Sequence, residues 1–253
     1  MSIASCSLAC LRHDRAVTEE LFRDDATLLE CSARIAAIDD GGVRLDRSVF
    51  YPQGGGQAGD AGVLVLADGR ELIVADTRKG AAPGEIVHVL APDTDLRDVA
   101  AGMTVTARID GPRRLAHMRF HTATHLLCAL VPHAVDGCSI TADYARLDFH
   151  MSEPLDKEAL TAGIARLVAE AHPVRHRWIS EAELDANPGL VRSMSVQPPR
   201  GLGRIRVLEI DGVDLQPCGG THVGNTAEIG AVVVTKIEKK SAMTRRVVLG
   251  LAA

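Results

Sequence analysis

Apolar positions in the first part of the chain come in short runs, some of them alternating with polar residues, at 31–38, 42–48, 62–66 and 71–75. Runs of this length predict strands, and Asp39-Asp40-Gly41-Gly42 and Asp68-Gly69 between them supply turn residues. Several short strands at this spacing predict a small β-barrel. Near residue 109 the pattern changes. Residues 115–130 contain neither Gly nor Pro and carry Leu115, Met118, Phe120, Leu126, Leu127 and Leu130, which predicts a helix of about four turns. A second helix is expected over 155–171, with Leu160, Ile164, Leu167, Val168 and Ala171 on one stripe and His172-Pro173 ending it. Ser180-Glu181-Ala182-Glu183 reads as a capping box that opens a short third helix. Residues 145–150, 204–210, 231–237 and 246–251 read as further strands. The expectation is an α+β protein in two domains, a barrel over 1–108 and a mixed domain over 109–253.

Composition narrows the partners. A chain of 253 residues, 46% hydrophobic and 24% charged, has the make-up of an ordinary globular protein. Aromatics reach only 3%, which argues against an extended base-stacking surface. The net charge of −5 argues against general nucleic-acid binding and leaves room for a local basic patch. Lys236, Lys239, Lys240, Arg245 and Arg246 form one candidate, and Arg113, Arg114 and Arg119 another. The same residues also suit a solvated strand edge that resists aggregation. The six cysteines lack the regular spacing of a disulfide scaffold, and Cys6 and Cys10 read as incidental. No basic segment precedes an apolar run at the N-terminus, and no stretch approaches a membrane span, so a reducing, cytoplasmic setting is expected.

The candidate chemistry centres on His121-Thr-Ala-Thr-His125. Residues at i and i+4 share a helix face, so both imidazoles can reach one metal ion. Gln216-Pro217-Cys218-Gly219-Gly220-Thr221-His222 adds a thiolate and a third imidazole, with glycines that free the backbone to bring them together. His121, His125, Cys218 and His222 make a nitrogen- and sulfur-rich set that suits zinc rather than calcium or magnesium. His117 lies on the same helix face; His88, His133, His150 and His176 stand alone.

The loop Tyr51-Pro52-Gln53-Gly54-Gly55-Gly56-Gln57-Ala58-Gly59-Asp60 is neither a dinucleotide fingerprint nor a P-loop. Three consecutive glycines are tolerated where backbone must approach something closely. That leaves two readings, a tight barrel corner or a loop that reaches the other domain or its ligand.

Taken together, HTATH followed by CGGTH resembles the HxxxH…CxxxH signature of the alanyl-tRNA synthetase editing domain, which threonyl-tRNA synthetase shares. The glycine loop resembles the N-terminal motif of the free-standing, medium-length alanyl-tRNA editing proteins. RLDF at 146–149, NTAEIG at 225–230 and TKIEKK at 235–240 support the likeness, which runs from about Val17 to Leu249. The resemblance implies an N-terminal barrel followed by an α+β editing domain. It implies zinc on His121, His125, Cys218 and His222, and hydrolysis of mischarged alanine tRNA, chiefly the seryl ester. It places Thr124 near the bound amino acid and gives Gly54, Gly55, Gly56 and Gln57 a part in substrate choice. Contact with tRNA is expected at Lys236, Lys239, Lys240, Arg245 and Arg246, and a monomer or weak homodimer is expected. Relatives carry Gly-Gly-Gln-Ile where this chain has Gly137-Cys138-Ser139-Ile140, so Ser139 is expected to replace a pocket glutamine.

Two other readings meet the same residues. A non-catalytic RNA-binding module with structural zinc explains the ligands without the glycine loop. A zinc esterase for a small metabolite leaves the basic patch without a role. Four protein ligands usually mean a closed site, whereas catalytic zinc keeps one position open.

Overall fold

The computed structural model describes residues 17–194, 197–198, 200–201 and 203–252; Cys6 and Cys10 lie outside them. After a two-residue strand β1 (Glu19–Glu20), a closed barrel follows, with β4 (Arg47–Ser48) pairing β1 in parallel. Its strands are β2 (Glu30–Asp39), β3 (Gly42–Leu45), β5 (Gly62–Val65), β6 (Glu71–Lys79), β7 (Ile86–Leu90) and β8 (Thr104–Ile109). They close in the order β2-β3-β7-β6-β5-β8, each neighbour antiparallel. Alternate residues point inward, so Ala33, Ile35, Leu72, Val74, Val105 and Ala107 fill the interior. The strand expected over 71–75 runs on to Lys79, and β7 and β8 went unread because charged or polar residues break their apolar runs.

Helix α1 (Gly111–Leu130) begins four residues before its expected start. Gly111-Pro112 looks like a breaker. Here Asp110 accepts a hydrogen bond from the Arg113 amide and Pro112 occupies the first turn, where its missing N–H costs nothing. From Phe120 to Cys128 every residue of α1 is buried, so this helix is the central post of the second half.

Strands β9 (Val135–Ile140), β10 (Ala145–His150), β14 (Val232–Ser241) and β15 (Thr244–Leu251) form an antiparallel sheet ordered β14-β15-β10-β9. Helix α2 (Lys157–Ala169) and α1 cover one face, where Phe120, Leu127, Leu147, Phe149, Ile164 and Val247 make the largest core. Strands β11 (Val174–Ser180), β12 (Arg204–Ile210) and β13 (Asp214–Pro217) form a separate antiparallel sheet. The capping box at Ser180 opens α3 (Glu181–Ala186) with both of its reciprocal bonds. The result is an α+β fold. No helix among the described residues is long and apolar enough to cross a membrane.

Barrel and mixed layer are riveted together. Arg114 and Asp60, each 1% exposed, form an ion pair in which the guanidinium also donates to the carbonyls of Ala26 and Val49. The Ile140 amide donates to the Gly56 carbonyl, and the Ala58 amide to the Ile140 carbonyl. The glycine loop thereby becomes an extra, parallel partner of β9 at Gln57.

Candidate metal centre and cavity

His121 and His125 lie one turn apart on α1, and Cys218 and His222 follow β13 on the Cys-Gly-Gly-Thr-His turn. One donor atom from each of the four lies within 4.8 Å of the others, and the cluster is mostly buried. The Cys218 Sγ stands 3.2 Å from His222 Nε2 and 3.5 Å from His121 Nε2. Gly220 permits this approach, since a Cβ there would sit 2.2 Å from His121 Cε1.

The surroundings fix each ring. His121 Nδ1 donates to Gln57 Oε1 at 2.8 Å; His125 Nδ1 donates to Asp214 Oδ2 at 2.8 Å; His222 Nδ1 donates to Thr122 Oγ1 at 3.2 Å. Thr122 can accept there because its own proton goes to the Met118 carbonyl. Gln216 steadies Asp214 through two further bonds. With every Nδ1 occupied as a donor, the Nε2 lone pairs and the sulfur converge, and as neutral imidazoles and thiolate they have no proton to share, so the point where they meet takes a metal ion or a single proton. An acceptor-only cluster of this kind calls for a cation. Two donors bound tetrahedrally at zinc distances stand roughly 3.3–3.7 Å apart, close to the two sulfur–nitrogen separations.

Protonation follows the same logic. Burial raises the Cys218 thiol, but the imidazoles of His121 and His222 outweigh it and bring the pKa well below the ordinary thiol value. Burial and the neighbouring His121 push His222 down to about 3. Burial also opposes the charged form of His125, yet Asp214 and Cys218 lift it to about 10, so the metal-free cluster keeps its proton there. A thiolate and neutral imidazoles are the forms a zinc ion takes, and metal binding would displace the His125 proton.

The cluster opens on a cavity of about 520 Å³, within the range of small-molecule and cofactor sites. Thr124, Cys138 and Gly54, Gly55 and Gly56 line it. Thr124 Oγ1 gives its proton to the His121 carbonyl at 2.6 Å, leaving only acceptor capacity toward the cavity.

Several sequence expectations are corrected here. Ser139 does not line the cavity; on β9 it pairs with Arg146, on the face opposite Cys138, which pairs with the core residue Leu147 and takes the lining place. Gln57 faces away from the cavity and is fully buried, holding His121 and both the amide and hydroxyl of Thr221. Arg245 shares the inward parity of Val247 and Leu249 and is buried against the carbonyls of Ser152 and Glu153, unavailable to any RNA. Arg246 is forked onto Asp148, and Lys236 pairs with Glu238; Lys239 and Lys240 are exposed. The alternative patch dissolves too, because Arg114 is buried and Arg119 donates to the Ile229 carbonyl. His117 stays outside the cluster, 3.8 Å from Asp60. His88 is a barrel-core residue and His150 an exposed partner of Asp136.

Asp214 and Thr122 went unread as supports. Asp214, Gln216 and Cys218 alternate at period two, the one sequence sign that a carboxylate shares a strand face with the thiol.

Comparison with known proteins agrees with this architecture. Residues 205–248 match the threonyl and alanyl tRNA synthetase second additional domain, and residues 14–113 match class II (A) tRNA synthetases. The chain is 35% identical to the alanyl-tRNA editing protein AlaX-M of Methanosarcina barkeri, over 91% of this chain and 97% of that one. It is 32% identical to AlaX-M of Saccharolobus solfataricus, over 91% and 98%. The alanine–tRNA ligase of Pyrococcus furiosus is 33% identical over 88% of this chain, a segment that makes up 24% of the ligase.

Proposed function

The chain belongs to the alanyl-tRNA editing proteins, and on that premise we propose that it hydrolyses mischarged alanine tRNA, chiefly the seryl ester, with zinc held by His121, His125, Cys218 and His222. The observation that carries this reading is the acceptor-only His/Cys cluster at the wall of an open cavity. When bound, zinc supplies Lewis acidity, polarising an ester carbonyl or making hydroxide available near neutrality.

The chain's own residues supply position and choice. An apolar pocket built for alanine cannot strongly reject serine, which merely adds a hydroxyl, so a second hydrolytic site must exploit that hydroxyl. Thr124 is suited to this, because its oxygen can only accept and a seryl hydroxyl can donate. An alanyl ester leaves that oxygen without a partner. Gln57, Asp214 and Thr122 hold the three imidazoles in the tautomer that turns Nε2 inward. In this reading the barrel, within 1–108, contributes the glycine loop as one wall, and 109–253 contributes the ligands.

The test is incubation of the zinc-loaded protein with seryl-tRNA(Ala), alanyl-tRNA(Ala) and seryl-tRNA(Ser), following free amino acid, beside elemental analysis. About one zinc per chain and preferential release of serine from seryl-tRNA(Ala) are expected. Thr124→Val should narrow the preference for seryl over alanyl ester. Zinc at full occupancy with no ester cleaved would instead identify a binding module. Full zinc in a His121→Ala/Cys218→Ala variant would overturn the ligand set.

A further inference from the structure

The chain's single tryptophan stands at the cavity. Trp178 lies on β11 directly across from Arg206 on β12, so Trp178, Arg206 and the neighbouring Arg204 share one face of that sheet. All three line the cavity. The Arg204 guanidinium lies over the indole, 4.4 Å from the ring centroid, and Trp178 still keeps 46% of its surface exposed. Large aromatic side chains are usually covered, and a half-bare indole in a ligand cavity is a surface waiting for a flat partner.

Charge around it has one sign. Arg23, Lys79, Arg192, Arg204 and Arg206 line the cavity, and no Asp or Glu does among the described residues. Some of these charges are committed: Arg23 pairs with Glu20, and Arg206 donates to the carbonyls of Cys218 and Gly220. Arg204 and Lys79 make no ion pair among the described residues. A low-dielectric cleft lined by one sign of charge focuses its field on a ligand of the other sign. The ligand is therefore anionic and carries a planar ring, a combination that single-stranded nucleic acid supplies and a free amino acid ester does not.

We infer that Trp178, backed by Arg204, is a stacking platform for an unpaired base of the acceptor strand, with Arg204 and Lys79 facing its phosphates. The inference rests on the editing reading and names how the tRNA end is held while the ester meets the metal. It also moves the RNA contact from the β14–β15 edge, where the sequence put it, to the mouth of the cavity. One aromatic suffices for one base, so the scarcity of aromatics no longer opposes RNA binding.

With a single tryptophan, fluorescence reports this site alone. The zinc-loaded protein is titrated with a non-acylated single-stranded CCA trinucleotide and with an abasic ribose-phosphate trimer of the same backbone charge. Quenching by CCA that the abasic trimer does not reproduce is expected. Trp178→Ala should raise KM for seryl-tRNA(Ala) about tenfold, within the span of base–aromatic stacking, with kcat, zinc content and Tm held. Trp178→Phe keeps a π-face and should recover most of the loss. Arg204→Gln should reduce the salt slope of binding by about one. An unchanged KM in Trp178→Ala, or equal quenching by the two trimers, overturns the platform while leaving ester hydrolysis standing. Should no ester be cleaved, the trinucleotide titration still decides the platform by itself.

Discussion

Gln57 carries a testable link between the barrel and the metal cluster. Its side chain is fully buried, accepts from His121 Nδ1 at 2.8 Å and from the Thr221 amide at 3.1 Å, and donates to the Thr221 hydroxyl at 2.9 Å. Gln57→Leu keeps most of the volume and removes all three bonds. Two buried N–H donors then lose their acceptor, at about 1–3 kcal/mol each, so unfolding free energy should fall by about 2–6 kcal/mol. Metal affinity follows a different sum. Losing the bond that orients a ligating imidazole typically weakens binding about 10–100-fold. A neutral hydrogen bond worth about 0.5–1.5 kcal/mol places this change near the lower end, about tenfold. Gln57→Glu retains an acceptor for both donors, and the Thr221 hydroxyl can turn to donate, so it should stay within about threefold of wild type. Competition with a chromophoric chelator measures zinc affinity, and urea unfolding measures stability. If Gln57→Leu binds zinc within twofold of wild type, the loop does not orient His121 and the reasoning fails.

Three further outcomes follow from other contacts. Gly56 has φ +87° and a Cβ there would sit 2.8 Å from Cys138 Sγ, whereas Gly55 has φ +60° and nothing closer than 4.0 Å. Gly56→Ala should therefore cost more than 2 kcal/mol and much of the activity, Gly55→Ala about 1–2 kcal/mol with activity kept; equal effects in paired melts and rates would refute the contact. His88, fully buried in the barrel, has its pKa pushed down to about 4 because burial disfavours the imidazolium. The unfolded chain then takes up a proton near pH 6.5 that the folded one refuses, so stability is full above about pH 6.5 and falls by about 3 kcal/mol toward pH 4. His88→Gln should flatten that decline in urea unfolding, and identical pH slopes would exclude it. Arg114→Met strands Asp60 as a buried charge and should cost about 3–5 kcal/mol, part of it recovered in Asp60→Asn/Arg114→Met; a double variant no more stable than the single one would count against the pair.

The four residues of the His/Cys cluster were legible because their geometry is local. A helix brings His121 over His125, and a glycine turn brings Cys218 to His222, so spacing alone names four residues. Strands whose buried side is apolar were legible for the same reason, as the alternation on β10 shows. What failed to read was whatever depends on the other side of a sheet or on a distant segment. Residues 174–180 form β11 although Arg175 through Trp178 are all exposed, so no apolar alternation announces a strand. Ser139 and Cys138 differ by one position, and only the pairing with β10 decides which one meets the cavity. Arg245 and Arg246 read as one basic cluster until the β15 pleat sends one inward and the other onto Asp148.

The glycine loop shows why the two halves of the sequence had to be read together. From the sequence, a barrel corner and a loop reaching another domain are competing explanations of three glycines. In the fold one segment satisfies both. Tyr51 and Asp60 close the loop on the barrel through the Asp60 amide and carboxylate, while Gly56 and Ala58 bond β9 across the joint. Gln57, between them, is the only loop side chain to reach the metal cluster's rings among the described hydrogen bonds. The glycines let backbone pass Cys138 at a distance no side chain permits, and that close passage delivers the glutamine amide to His121. The cavity wall and the orientation of His121 are therefore coupled through a few residues. Any change that lifts Gly56 from β9 withdraws the cavity wall and the His121 support in one movement.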